Sequence, residues 1–214
     1  MNRRDFSATL LAAGFGATAL PFAASAQSGT PTEGQQFAKV DPPVPPLAPG
    51  KIEVLEFFSY ACPHCNAFEP TVEAWSKKVP ADVVFHRVPA PFLMNAENFM
   101  RTYYALETMG QVAAMQRKIF TAVHVDRLHL DKAADIAALV GKNGIDSTKF
   151  LDVFNSFSVA TSVTRAKKLA AAYKLDSVPT MMVNGRYSTS PAQSGGMEQT
   201  VAVVDYLIQR ARKG

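Results

Sequence analysis

KIEVLEFFSYACPHCNAFEPTVEAWSKKV, residues 51–79, joins a strand to a helix through a pair of cysteines. Its first eight residues, Lys51 to Phe58, are a compact apolar run suited to a central buried strand. Cys62 to about Val79 reads as a helix with Pro63 in its first turn, where a missing N–H costs nothing. Pro70 either kinks this helix or ends it. Cys62 then stands at the helix N-terminus, where unpaired N–H groups and the helix dipole favour an anion. A thiolate is the nucleophile of disulfide exchange, so this is a place where a cysteine becomes reactive. His64, between the two sulfurs, adds a donor or a positive charge close to Cys62. Cys65, one turn on, is expected to be the more buried sulfur and can close a ring back onto Cys62.

Two blander readings compete. A disulfide across so small a loop removes little chain entropy, which makes stabilisation a poor reason for it. A zinc site needs two further ligands, and His86, His124 and His129 show no matching spacing. Redox chemistry fits the pair better. His86 reads as a strand residue, and His124 and His129 as solvated helix-end residues.

Outward from this stretch, Asp82 to Val88 reads as a second strand. From about Asn95 to Leu175 five segments carry apolar residues at helical spacing, separated by Gly or by Asp and Ser caps. Phe92, Phe99, Met100, Tyr103 and Tyr104 read as the core of this helical block. Strand character returns at Thr180 to Val183. Asn184-Gly185 is a tight-turn signal, Arg186-Tyr187 starts the partner strand, and Met197 to Arg212 closes the chain as a helix. On the N-terminal side, Gln35 to Val40 can form a short strand, and Asp41 to Gly50 has five prolines in ten residues, which predicts an extended linker.

The first 27 residues, MNRRDFSATLLAAGFGATALPFAASAQ, read as an address. A basic start, an Ala-, Gly- and Leu-rich run and the small residues Ala24-Ser25-Ala26 fit a cleaved export signal, and Asn2-Arg3-Arg4-Asp5-Phe6 resembles a twin-arginine motif. Cleavage after Ala26 leaves 214 − 26 = 188 residues. Composition agrees with an exported globular protein. The chain is 48% hydrophobic and 19% charged with a mean hydropathy of +0.00, which excludes disorder and a polytopic membrane protein. The net charge of +4 is scattered rather than clustered, which argues against a nucleic-acid surface.

Phe57-Phe58-Ser59-Tyr60-Ala61-Cys62-Pro63-His64-Cys65, followed by Phe68-Glu69, resembles the active-site segment of the DsbA-type thiol:disulfide oxidoreductases of the bacterial periplasm. Val178-Pro179-Thr180 resembles the loop bearing the cis-proline that faces the cysteines in thioredoxin-like proteins. From its residues alone, Val-Pro before a strand is only an extended entry. The resemblance runs from about Gln35 to the C-terminus. It implies an α/β, thioredoxin-like fold with an inserted all-helical domain: a signal peptide at 1–26, an N-terminal strand and Pro-rich linker at 27–50, thioredoxin-like parts at 51–94 and 176–214, and the helical insertion at 95–175.

The resemblance also implies roles. Cys62 attacks or is attacked and Cys65 resolves the mixed disulfide, with Pro63 and His64 completing the catalytic motif. Val178, Pro179 and Thr180 bind substrate. Glu56 is the acid that exchanges protons with the buried cysteine; the family often pairs it with a lysine on the following strand, and Asp82 to Val88 has none. The implied activity is that of a monomeric periplasmic oxidase with no cofactor beyond the Cys62–Cys65 disulfide and no metal. It donates that disulfide to reduced exported proteins and is reoxidised by a membrane partner of the DsbB type. A disulfide isomerase or reductase is the alternative enzyme. Isomerases of the superfamily carry an N-terminal dimerisation domain, and only about two dozen residues separate the expected cleavage site from the core strand. A module that delivers copper or zinc through the Cys-Pro-His-Cys cluster is the alternative of a different class.

Overall fold

Alternation along the inner strands sorts the apolar side chains onto the two faces of one sheet, because successive residues of a strand point to opposite sides. The computed structural model describes residues 29–214, so the export signal read at 1–26 lies outside the described residues. The strands are β1 (Ala38–Lys39), β2 (Ile52–Phe58), β3 (Val83–Pro89), β4 (Thr180–Val183) and β5 (Tyr187–Thr189). They form one sheet in the order β1-β5-β4-β2-β3, in which β2 runs parallel to β3 and antiparallel to β4. The helices are α1 (Pro63–Ser76), α2 (Ala96–Thr108), α3 (Val112–His124), α4 (Ala133–Lys142), α5 (Ser147–Phe154), α6 (Phe157–Ala172), α7 (Pro191–Ser194) and α8 (Met197–Arg212). This is the expected α/β fold: strand, helix and strand, then five helices, then a hairpin and a closing helix.

One face of the sheet packs Val54, Met181 and Val183 against Phe68, Val72 and Trp75 of α1 and Val204, Leu207 and Ile208 of α8. The indole N–H of Trp75 donates to Asp205, tying those two helices together. The other face packs Leu55, Phe57 and Met182 against the inserted helices through Phe99, Met100, Tyr103, Ile119, Phe120 and Leu169. Phe99, Met100 and Tyr103 are therefore core, as their spacing predicts, while Phe92 and Tyr104 are half-buried. Local signals start the later helices of the insertion: the Asp146 carboxylate accepts from the N–H groups of Thr148 and Lys149, and the Ser156 hydroxyl accepts from that of Val159.

Pro70 lies inside α1, so it does not end the helix. Two features differ from the sequence reading. The four-residue α7, too short to show a period, begins at Pro191 behind a Ser190 cap and stops at Gly195 with φ 93°. The proline segment is not a free linker. Val44 N–H donates to the Gly185 carbonyl, Leu47 N–H to Glu53 Oε1 and Lys174 Nζ to the Asp41 carbonyl, while Val40 and Val44 pack on the core. Proline removes the segment's own ladder donors, so its remaining polar groups bond to the elements it crosses. The Asn184-Gly185 turn has positive φ at both residues, as a tight hairpin requires. A Cβ on Gly185 would fall within the Val44 carbonyl oxygen, so this glycine admits both the turn and the strap above it. Among the described residues, no helix is long and apolar enough to cross a membrane.

Candidate active site

β2 delivers the chain to the sulfur pair through a turn at Ser59 to Ala61. Cys62 N–H donates to the Ser59 carbonyl at 3.0 Å, and Cys62 takes extended φ/ψ as the N-cap of α1 with Pro63 opening the helix. In that position its sulfur accepts the Cys65 N–H at 3.3 Å, satisfying one of the orphan donors of the first turn. Both cysteines are free thiols and buried, 4% and 1% exposed, whereas Pro63 and His64 are exposed. The register that sets Phe57 opposite Thr180 brings the entry of β4 alongside. There the Val178–Pro179 bond is cis, and the Cys62 thiol donates to the Val178 carbonyl at 3.4 Å. Thr180 is buried and its hydroxyl bonds the Ser177 carbonyl. A shallow cavity of about 250 Å³ beside this loop is lined in part by His64, Val178, Pro179, Pro191 and Met197.

The two sulfurs are electrostatically unequal. The Cys62 thiol is held down at about 6, first by a hydrogen bond from the Cys65 thiol, against the opposing cost of burial, and further by the N–H groups of Cys65 and His64. The His64 ring charge adds to the same side but contributes less than these. Burial, together with its bond to Cys62, drives the Cys65 thiol far upward.

Beneath the sulfurs lies a charge cluster. Glu69 is one helical turn beyond Cys65, on the same face of α1, and Arg87 of β3 is the direct cross-strand partner of Glu56 of β2. Arg87 Nε donates to Glu56 at 3.0 Å and its Nη2 to Glu69 at 2.8 Å, with both carboxylates almost wholly buried. The gap in the charge pair expected at Glu56 therefore does not exist. The strand carries no lysine, but Arg87 supplies the cation, and its planar fork reaches two acids where an ammonium would offer a point charge. Burial still raises both acids despite Arg87: Glu56 moves upward, and Glu69 is pushed up to about 7. The cluster continues sideways, for Gln116 Nε2 donates to Glu69 Oε2 at 3.3 Å and Gln116 Oε1 accepts the Tyr60 hydroxyl at 2.6 Å.

Sequence reasoning missed Arg87, Gln116 and the partnership of Glu69. The signal for Arg87 was a charge interrupting an otherwise apolar strand, and for Glu69 an acid four residues after a cysteine. Gln116 gave none, because a glutamine on a helix is ordinarily solvated. His86 is a residue of β3 and His129 is exposed, as expected, but His124 is half-buried and its Nε2 donates to the Tyr60 carbonyl at 2.8 Å. Among the described residues, no group of three or more His, Cys, Asp or Glu side chains is placed to hold a metal ion.

Thiolate absorbance of the reduced protein should titrate near pH 6 rather than at the ordinary thiol value of 9.0. The folded value lies below the unfolded one, so this stabilisation is complete above the unfolded value and is lost as pH falls through the folded one. Melting of the reduced protein relative to the oxidised one should accordingly decline between those two pH values; a constant difference would contradict it. Replacing Arg87 by Met should cost about 3–5 kcal/mol, because two buried carboxylates lose their cation. With both acids then raised further, the loss should deepen as pH rises above the carboxylate range, which urea titrations at acidic and neutral pH would detect.

A family model described as a DSBA-like thioredoxin domain matches residues 82–199. The thiol:disulfide interchange protein DsbA of Pseudomonas aeruginosa is 42% identical over 193 residues, covering 89% of this chain and 90% of that protein. Its counterpart in Bordetella pertussis is 41% identical over 214 residues and covers both chains fully. The crystal structure of Pseudomonas aeruginosa DsbA superimposes with a TM-score of 0.82 at 42% identity, over 85% of this chain and 95% of that one. The oxidoreductase DsbA from Xylella fastidiosa gives 0.79 at 30% identity, over 87% and 100%. With the sulfur pair at a helix N-terminus, the cis-proline loop facing it and five helices inserted between β3 and β4, the chain belongs to the DSBA-like thioredoxin family.

Proposed function

We propose that this protein is a periplasmic thiol:disulfide oxidase that transfers the Cys62–Cys65 disulfide to reduced exported proteins. A substrate thiolate attacks Sγ of Cys62, the bond between the two cysteines breaks, and Cys65 departs as a thiolate that takes up a proton. The second substrate thiolate then attacks its own sulfur in the mixed disulfide. Cys62 departs as a thiolate, and the substrate leaves with a disulfide. Two electrons pass from substrate to protein at each turnover.

The asymmetry of the two sulfurs carries this reading. A thiol held at about 6 is a good leaving group at neutral pH, so the second step runs toward oxidised substrate. A buried thiol driven upward requires a proton on departure, and Glu56 is the acid we assign to that transfer, with Glu69 and Arg87 holding it in place. His64 and Pro63 supply the helix opening. Val178, Pro179 and Thr180 form the edge along which the substrate backbone lies, with the cavity beside His64 receiving an apolar side chain. Return of the dithiol to the disulfide needs an external oxidant, which we assign to a membrane partner of the DsbB type. We read the protein as a monomer, with the N-terminal 26 residues as its export signal.

Cys65→Ser has no disulfide to give, so its Cys62 thiolate should accumulate mixed disulfides by attacking the disulfide of an oxidised substrate, displacing one substrate thiolate with no Cys65 thiol to release the other, while Cys62→Ser should neither trap substrate nor oxidise a reduced model protein. Trapping through Cys65 in the Cys62 variant would reverse the roles, and an equilibrium with glutathione as reducing as that of cytosolic thioredoxins would overturn the oxidase reading. For export, lysine at both Arg3 and Arg4 should block translocation of a fused reporter, and unchanged translocation would assign the general secretory route instead.

A further inference from the structure

Tyr60 lies two residues before Cys62 and is fully buried, and one face of α3 holds it at three points. Gln116, Phe120 and His124 are spaced four residues apart, so they form a single stripe on that helix. Gln116 Oε1 accepts the Tyr60 hydroxyl at 2.6 Å. The Phe120 ring meets the Tyr60 ring edge-on with centroids 5.2 Å apart. His124 Nε2 donates to the Tyr60 carbonyl at 2.8 Å. A carbonyl only accepts, so Nε2 carries a hydrogen, and both the neutral ring and the imidazolium can supply it. The hold therefore requires no change of ionisation.

Packing alone accounts for a buried aromatic ring. It does not account for two polar groups of one helix meeting both the hydroxyl and the main-chain carbonyl of the same residue. What Tyr60 in turn constrains is the turn that feeds α1. Ala61 N–H donates to the Ser59 hydroxyl at 3.2 Å and Cys62 N–H to the Ser59 carbonyl at 3.0 Å. Displacement of Tyr60 moves this turn, and with it the Cys62 sulfur relative to the Cys65 N–H and the Val178 carbonyl, 3.3 and 3.4 Å away. The Cys65 N–H, the Cys65 thiol and the Val178 carbonyl belong to the thioredoxin-like part of the chain, whereas the stripe belongs to the insertion.

We propose that Gln116, Phe120 and His124 are positioning residues for Cys62, through which the inserted helix sets the reactivity of the nucleophile by its hold on Tyr60. This rests on the assignment of Cys62 as the attacked sulfur. Gln116 also bonds Glu69, so Tyr60 is the cleaner place to break the hold: Tyr60→Phe deletes the hydroxyl and leaves Gln116 bonded to Glu69. His124→Leu deletes the carbonyl tie, and His124→Gln returns an N–H donor at similar reach.

The test is to titrate the Cys62 thiolate by absorbance and to equilibrate each full-length variant with glutathione, using thermal melts to establish folding. Tyr60→Phe and His124→Leu should each raise the Cys62 titration by about half a pH unit or more and shift the glutathione equilibrium roughly threefold toward the disulfide, since one pH unit is tenfold. His124→Gln should recover at least half of the shift. Folded variants that melt lower but titrate and equilibrate like the parent protein would overturn the proposal, because a structural role alone moves only the melt. Tyr60→Phe removes a single oxygen, so it keeps the test decisive if His124→Leu does not fold. A parent protein that fails to oxidise a reduced model substrate, with the titration shifts still present, would strike the oxidase reading and support the positioning role.

Discussion

Arg87 holds two carboxylates at once, and each comes from a different element: Glu56 from β2 and Glu69 from α1. The three elements cannot separate without leaving a charge unpaired in apolar surroundings, which costs far more than an exposed ion pair would. This constraint places the start of α1 over the end of β2, and so fixes where the helix N-terminus meets the first sulfur. It also explains why acids can lie beneath a redox pair. A lone buried carboxylate would simply take up a proton, whereas one shared cation leaves both acids raised yet paired, with Glu69 pushed up to about 7.

Legibility in the sequence followed the range of the interaction. The strand, the helix start and the two sulfurs of residues 51–65 were readable because adjacent residues carry the signal: apolar run, proline at the first helical position, cysteines one turn apart. The closing helix was bounded correctly at Met197 and Arg212 by the same local logic. Long-range partnerships were not readable. Arg87 is 31 residues from Glu56, and the pairing becomes visible only when the parallel register of β2 and β3 sets them side by side. The strap at residues 41–50 failed for a related reason, since prolines announce what a segment cannot do and are silent on what it lies against. His124 was misjudged because its partner is a main-chain carbonyl, which has no sequence signature.

The two cores divide the labour of the molecule. The face covered by α1 and α8 binds the helix that carries the sulfurs to the sheet, while the insertion covers the opposite face and reaches round to the turn before Cys62. A redox site built in this way is supported from both halves of the chain. Its exposed elements are few: His64, Pro63 and the rim near Val178. Apart from the contribution of His64, the groups that tune the sulfurs sit behind them.

The sheet's wiring carries a consequence for assembly. β2 takes its two neighbours from very different distances along the chain: β3 follows closely, but β4 arrives only after all five inserted helices. The strap adds a second such closure, joining Val44 to the hairpin glycine at 185. Contacts of high sequence separation form late, because loop-closure entropy must be met before they contribute. The inserted helices, by contrast, contact one another within a single contiguous segment. A chain emerging from its N-terminus can therefore complete the insertion while the sheet is still missing its centre partner, and the cis-proline loop reaches the sulfurs last. Until the final forty or so residues arrive, Cys62 has a helix beneath it but no wall in front of it.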